Sequence, residues 1–266
     1  IGFVLVKGVK ALNWAFFTET LQFVGPLDAA SKGGALHAIV GTLEQITIAG
    51  LISVPLGFAT AIFLNEVGGV LKKPVRIFVD AMSGIPSIVA GLFIYAVWII
   101  ELGHHFSGLA AGLALSVLML PTVTRTAEEV LRLVPGGLRE ASLALGASEW
   151  RTTWAVVLPT AKAGLVTAAI LGVARAVGET APLIMTSFGA SVLNANPLKG
   201  TQDSLPLFVY NLLISPQKVQ IDRAWTGALV LICLVLILFT LARIAGGGIK
   251  FRRPRLAPIV SEEAAK

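Results

Sequence analysis

Cysteine and charge are the scarce commodities in this sequence. The single cysteine, Cys233, lies inside an apolar run, so neither a disulfide framework nor a cysteine-based metal site can be built. Only 14% of the 266 residues are charged, where a soluble domain carries roughly 25%. No G-x-x-x-x-G-K-[ST] phosphate cradle occurs, so any ATP-driven process must draw its motor from another polypeptide. No clustered carboxylates, histidines or nucleophile triad stand out, which argues against an enzyme. No cleavable signal peptide is recognisable.

What is abundant is apolar sequence. Hydrophobic residues make up 55% of the chain and mean hydropathy is +0.82. A spanning helix needs about 20 mostly apolar residues. Five segments meet that length, at roughly 36–64, 77–101, 108–124, 161–188 and 224–246. Residues 1–6 read as the end of a sixth span whose beginning lies outside this sequence. The expectation is an all-α integral-membrane protein. Residues 1–35 form the end of a first span and an outer loop, 36–246 a transmembrane domain, and 247–266 a basic tail. Trp14, Trp98, Trp150, Trp154 and Trp225 lie mostly near segment ends, as interfacial anchors do.

The net charge of +6 is a matter of topology rather than of nucleic-acid binding. Segments 66–76, 125–162 and 243–266 hold fourteen of the 21 Lys and Arg residues, and the alternate segments hold six. The positive-inside rule makes the first group cytoplasmic, together with the C-terminus. The basic run Lys250–Arg255 reads as a flank attracted to anionic lipid.

The stretch 125–160 carries helical periodicity. Thr126–Leu133 reads as one short amphipathic helix, broken by Pro135-Gly136-Gly137. A second, Leu138–Leu145, puts Leu138, Ala141, Ser142 and Leu145 on one face, and Gly146 closes it. Such a face suits insertion into a partner's groove or a lipid surface. Glu140-Ala141-Ser142, then Gly146, then Val156-Val157-Leu158-Pro159 resembles the EAA loop of ABC-importer permeases. That loop is written Glu-Ala-Ala, three residues, Gly, nine residues, Ile-x-Leu-Pro. Ser142 replaces the second Ala and Val156 the Ile. The resemblance implies that Glu140, Ala141, Ser142, Leu145, Gly146, Leu158 and Pro159 couple the chain to a separate cytoplasmic ATPase.

In segment 161–188, Arg175 and Glu179 interrupt an otherwise uncharged run at i, i+4 spacing. A charge at mid-membrane costs about 2.5–3.5 kcal/mol on the insertion scale. Thr167, Leu171, Pro182 and Thr186 fall on or near their face. Gly164, Ala168, Gly172, Ala176 and Thr180 form an adjacent ridge suited to close helix packing. The pair is either a buried register-fixing bridge or an oxyanion station, where a planar guanidinium fits phosphate or sulfate. Arg223, at the outer entrance to the last span, is a second candidate for handling anions. Glu44 and Gln45 suit helix–helix hydrogen bonding, and Asp80 marks the inner end of its span.

Ala174-Arg175-Ala176-Val177-Gly178-Glu179-Thr180-Ala181-Pro182 resembles the R-A-x-G-E-T-A-P stretch of PstA-type phosphate permeases. Gly84–Leu92 and Arg125–Glu129 resemble further segments of that family. The resemblance implies a six-span type I ABC-importer permease fold with the first span mostly absent from this sequence. It also implies a heterodimer with a PstC-type permease, two PstB-type ATPase subunits that bind ATP and Mg, and a PstS-type phosphate-binding protein. A permease for sulfate or molybdate, and an ATP-independent anion transporter, are the alternatives.

Overall fold

The computed structural model describes residues 2–245. A short helix α1 (Gly2–Gly8) is followed by an outer segment with one helical turn, Ala15–Thr18. The long helix α2 (Leu36–Val67) ends in a wide π turn, Phe63–Val67. Then come α3 (Lys72–Ser83), α4 (Ser87–Glu101), α5 (Gly108–Arg132) and α6 (Gly136–Ala144). The chain continues through α7 (Glu149–Val177), α8 (Ala181–Thr186), α9 (Leu205–Leu213) and α10 (Lys218–Ala245). Among the described residues, α2, α5, α7 and α10 are each long and apolar enough to cross a membrane. The bent pair α3–α4 makes a fifth span if counted as one. At seven residues, α1 is too short to cross by itself.

Three of the expected spans are differently divided. Segment 77–101 is two helices meeting at 105°, because Pro86 lacks an N–H and sits extended (ψ 140°) after Gly84. The amphipathic α3 exposes Ile77 and Phe78 and carries Lys72, Lys73, Arg76 and Asp80. Residues Thr126–Arg132 are not a separate loop helix but the last turns of α5. They stay helical because Glu128, 5% exposed, is paired there by Arg76 and Arg132. Segment 161–188 is broken at Gly178–Thr180, and α8 starts afresh with Pro182 in its first turn. At its other end α7 begins as early as Glu149, with a π turn over Thr153–Val157 just ahead of Pro159. A proline withholds one N–H from the helical ladder, and a widened turn is a common accommodation.

Small residues set the packing. A Cβ on Gly57 would come 2.8 Å from Val123 Cγ1, and one on Gly112 2.5 Å from Ile48 Cγ2, so α2 and α5 lie nearly in backbone contact. Ser53 Oγ donates to the Ser116 carbonyl across the same seam, 3.0 Å. The expected ridge on α7 does face α5: Gly164 lies on Val130, and Gly172 on Val123 and Met119. Ala168 and Ala176 on that ridge are buried. Without a hydrophobic force between helices in lipid, such close contacts supply the attraction.

The end of the bundle at the start of α2 is held by polar anchors. Thr42 Oγ1 accepts from the Leu205 amide at 2.7 Å. Gln45 Nε2 donates to Gln202 Oε1 (3.1 Å) and to the Asp203 carbonyl (3.3 Å), and Gln202 donates to Glu44. Glu44 and Gln45 therefore hold the 194–205 loop to α2 rather than bonding helix to helix.

Candidate functional site

Arg175 sits one turn from the end of α7, and Glu179 lies in the break just beyond it. Arg175 Nε is 4.0 Å from Glu179 Oε1, with the side chains 43% and 20% exposed. That is a loose bridge on a partly exposed guanidinium side chain. The exposed side of α7 runs through Ala163, Thr167, Leu171 and Arg175, each four residues on, so Arg175 ends an open stripe beside the glycine ridge. Thr167 satisfies its own hydroxyl on the Ala163 carbonyl, 2.9 Å. Pro182 and Thr186 do not share this stripe. They are buried in α8, which approaches α4 so closely that a Cβ on Gly91 would lie 2.6 Å from Pro182 Cα. The break at Gly178–Thr180 destroys the helical register that would have aligned them.

Arg223 is placed quite differently. It is 2% exposed, and its Nη2 donates to the carbonyls of Asp28 (3.2 Å), Ala29 (2.8 Å) and Lys32 (2.8 Å). Its guanidinium fastens the outer loop to the start of α10. Nearby, Asp28 is held below the usual carboxylate range by the Lys32 ammonium and the Gly25 amide. Across the outer face, His37 Nε2 stands 3.4 Å from Asp203 Oδ2, both nearly enclosed, and burial pushes the Asp203 carboxyl upward.

An apolar cleft of about 550 Å³ opens between α2, α7 and α10, lined among others by Leu43, Phe58, Val173 and Phe239. No charged side chain lines it, so it is not a place where an oxyanion would be held.

The loop helix α6 projects away from the bundle. Leu138, Glu140, Ala141, Leu143 and Ala144 are exposed, and Leu145 is 89% exposed. Gly146 has φ +84°, its amide donates to the Leu143 carbonyl (2.9 Å), and the Ala147 amide donates to the Ser142 carbonyl (3.2 Å). This is the paired 5→2 and 6→1 closure that favours glycine at the left-handed position. Ser142 Oγ lies 2.8 Å from Thr152 Oγ1, tying α6 to the start of α7. Leu158 packs in the cluster of Ala127, Leu131, Val157 and Ala161, and Pro159 stands exposed beside it. The Glu140–Gly146 part of the expected motif thus lies on one exposed helix with its closing glycine, while Leu158 and Pro159 lie on α7.

Two further groupings were not visible as sites in the sequence. Arg125 pairs with Asp80 between α5 and α3. Arg139 of α6 reaches Glu66 of α2 across 73 residues of sequence. Neither partner is recognisable from local spacing.

This architecture is that of a type I ABC-importer permease. A solved structure titled as an inward-facing MetNI methionine ABC transporter superposes with a TM-score of 0.58 at 26% identity. It covers 78% of this chain and 90% of that one. An amino acid ABC transporter crystallised with histidines shares the fold at 17% identity, with a TM-score of 0.58 over 79% of this chain and 91% of that one. The chain belongs to the family of binding-protein-dependent transport system inner membrane components, whose model matches residues 53–251. Among its relatives is the phosphate transport system permease protein PstA 1 of Mycobacterium tuberculosis (strain CDC 1551 / Oshkosh). It is 43% identical over 87% of this chain and 76% of the relative. PstA of Pasteurella multocida (strain Pm70) is 37% identical over 91% of this chain and 84% of its own length.

Proposed function

We propose that this chain is the transmembrane permease subunit of an ATP-driven phosphate importer, forming half of the translocation pathway. The observation that carries this reading is the exposed α6 with its glycine closure, in a chain 43% identical to a PstA permease and without a phosphate cradle of its own. In this reading a PstC-type permease forms the other half of the pathway. Two PstB-type ATPase subunits bind ATP and Mg, and a PstS-type protein delivers phosphate outside. The chain lies in the bacterial plasma membrane with its C-terminus cytoplasmic, an orientation supported by the Lys and Arg bias.

Closure of the ATPase dimer moves α6, through Glu140, Ala141, Ser142, Leu145 and Gly146, with Leu158 and Pro159 relaying the motion into α7. Arg175 meets the anion, because a permanently charged planar fork suits a phosphate oxyanion. Glu179 at 4.0 Å competes with the anion for the guanidinium and keeps it from being held too tightly. Arg223, buried with its Nη2 on three backbone carbonyls, serves in this reading as a loop clamp rather than as the residue that meets the anion.

Reconstitution of the four partners in lipid vesicles tests the reading. Phosphate uptake is expected only with ATP and the phosphate-loaded binding protein, undiminished by excess sulfate or molybdate. Uptake without ATP, or preferential uptake of another oxyanion, would overturn it.

A further inference from the structure

Helix α6 is held to the rest of the chain by two polar side chains on one face, Arg139 and Ser142, while most of its other residues are exposed. Ser142 bonds to Thr152, at the beginning of α7, a neighbour in sequence. Arg139 bridges much further. Its Nη2 donates to Glu66 Oε1 (2.8 Å) and to the Leu131 carbonyl (3.0 Å). Its Nη1 donates to the Val134 carbonyl (2.7 Å), and its Nε to Glu66 Oε2 (3.3 Å). One guanidinium therefore gathers α6, the C-terminal end of α5 and the C-terminal end of α2. Leu131 lies in the last turn of α5, where a cation is favoured, and Val134 two residues beyond its end.

The Glu66 end of the bridge is also prepared. Asn65 Nδ2 donates to Glu66 Oε1 (2.8 Å), and the carboxylate is 11% exposed against 24% for Arg139. Two fork-to-carboxylate bonds in a partly dry site make a stiff, directional link. Glu66 lies within the π turn Phe63–Val67, a widened turn of the kind that recurs where helices must yield. Further along, α2 and α5 are in near-backbone contact.

We propose that the Arg139–Glu66 pair is the joint through which motion of α6 enters the α2–α5 helix pair. Ser142 carries motion only into α7. The proposal rests on the reading of α6 as the ATPase-gripped helix. Both residues act by positioning: neither touches phosphate nor nucleotide.

The test uses the complete transporter in vesicles, with inorganic phosphate on its binding protein, and measures phosphate moved per ATP hydrolysed. Glu66→Gln keeps the side chain's shape but loses the charge-assisted fork. It is expected to retain ATPase assembly and hydrolysis while phosphate per ATP falls roughly five- to tenfold, the lower part of the usual coupling range. Arg139→Gln is expected to fall alike, and the double variant no further than either single one, since both remove the same link. An unchanged ratio in the single variants, or a multiplicative fall in the double one, overturns the joint. So does loss of the ATPase from the Glu66→Gln complex, which marks a purely structural role. If Glu66→Gln fails to insert, Arg139→Lys decides: one ammonium cannot reach the carboxylate and both carbonyls together, so the same fall is expected and an unchanged ratio overturns the joint. A wild-type complex that moves no phosphate with ATP defeats the functional reading, and the joint with it. A working wild type with equally working variants defeats the joint alone.

Discussion

Arg175 and Arg223 show how little a residue type says until its partners are known. Arg175 keeps a loose bridge of 4.0 Å and a partly exposed side chain, whereas Arg223 spends its Nη2 on three backbone carbonyls. The first can exchange a weak partner for an anion; the second is enclosed, 2% exposed, behind the loop that its Nη2 fixes. Arg175→Gln is therefore expected to abolish or sharply lower phosphate uptake while leaving assembly with the ATPase and sister permease intact. Uptake assays beside co-purification of the complex check this, and unchanged uptake would remove Arg175 from the pathway. The sequence announced Arg175 because a charge in an apolar run is conspicuous. It did not separate Arg223 from that role, because the Asp28, Ala29 and Lys32 carbonyls lie nearly 200 residues away.

Helices were legible where periodicity is uninterrupted, and misdivided where a proline or a distant ion pair decides the boundary. Pro86 turns one expected span into two helices at 105°, and the break before Pro182 removes α8 from the stripe of α7. Conversely, α5 runs on through residues that read as a separate short helix, where Glu128 pairs with Arg76 and Arg132. The glycine ridge of α7 was legible because spacing alone places it on one face, and it meets α5 as that spacing requires. A Cβ on Gly172 would lie 2.5 Å from Val123 Cγ2 and 3.0 Å from Met119 Cγ, so Gly172→Val forces α7 and α5 apart. Overpacking of this kind costs about 1–3 kcal/mol, and a lowered unfolding midpoint in detergent is the expected result. Gly50→Ala is the control, since a Cβ there meets nothing within 4 Å and an alanine favours the helix. Equal midpoints for both variants would show that the ridge is not a tight contact.

The whole molecule has two unlike ends. The end at the start of α2 is stitched together by amides, hydroxyls and buried charges, while the other leaves α6 standing free on two anchors. Cytoplasmic placement of that free end is open to a direct measurement. With the native thiol removed (Cys233→Ser), Leu145→Cys is expected to react with a membrane-impermeant maleimide in inverted vesicles and not in intact cells. Binding of the ATPase should block the reaction; labelling from outside would invert the topology. Sequence by itself determined that the chain is a helical membrane bundle with a short glycine-closed helix between two spans, because apolar length, charge bias and short-range spacing are local quantities. Tertiary structure alone decided which arginine stays open, where two spans break, and that Arg139 reaches Glu66. Those outcomes depend on which groups meet across tens to hundreds of residues, and no local pattern encodes that meeting.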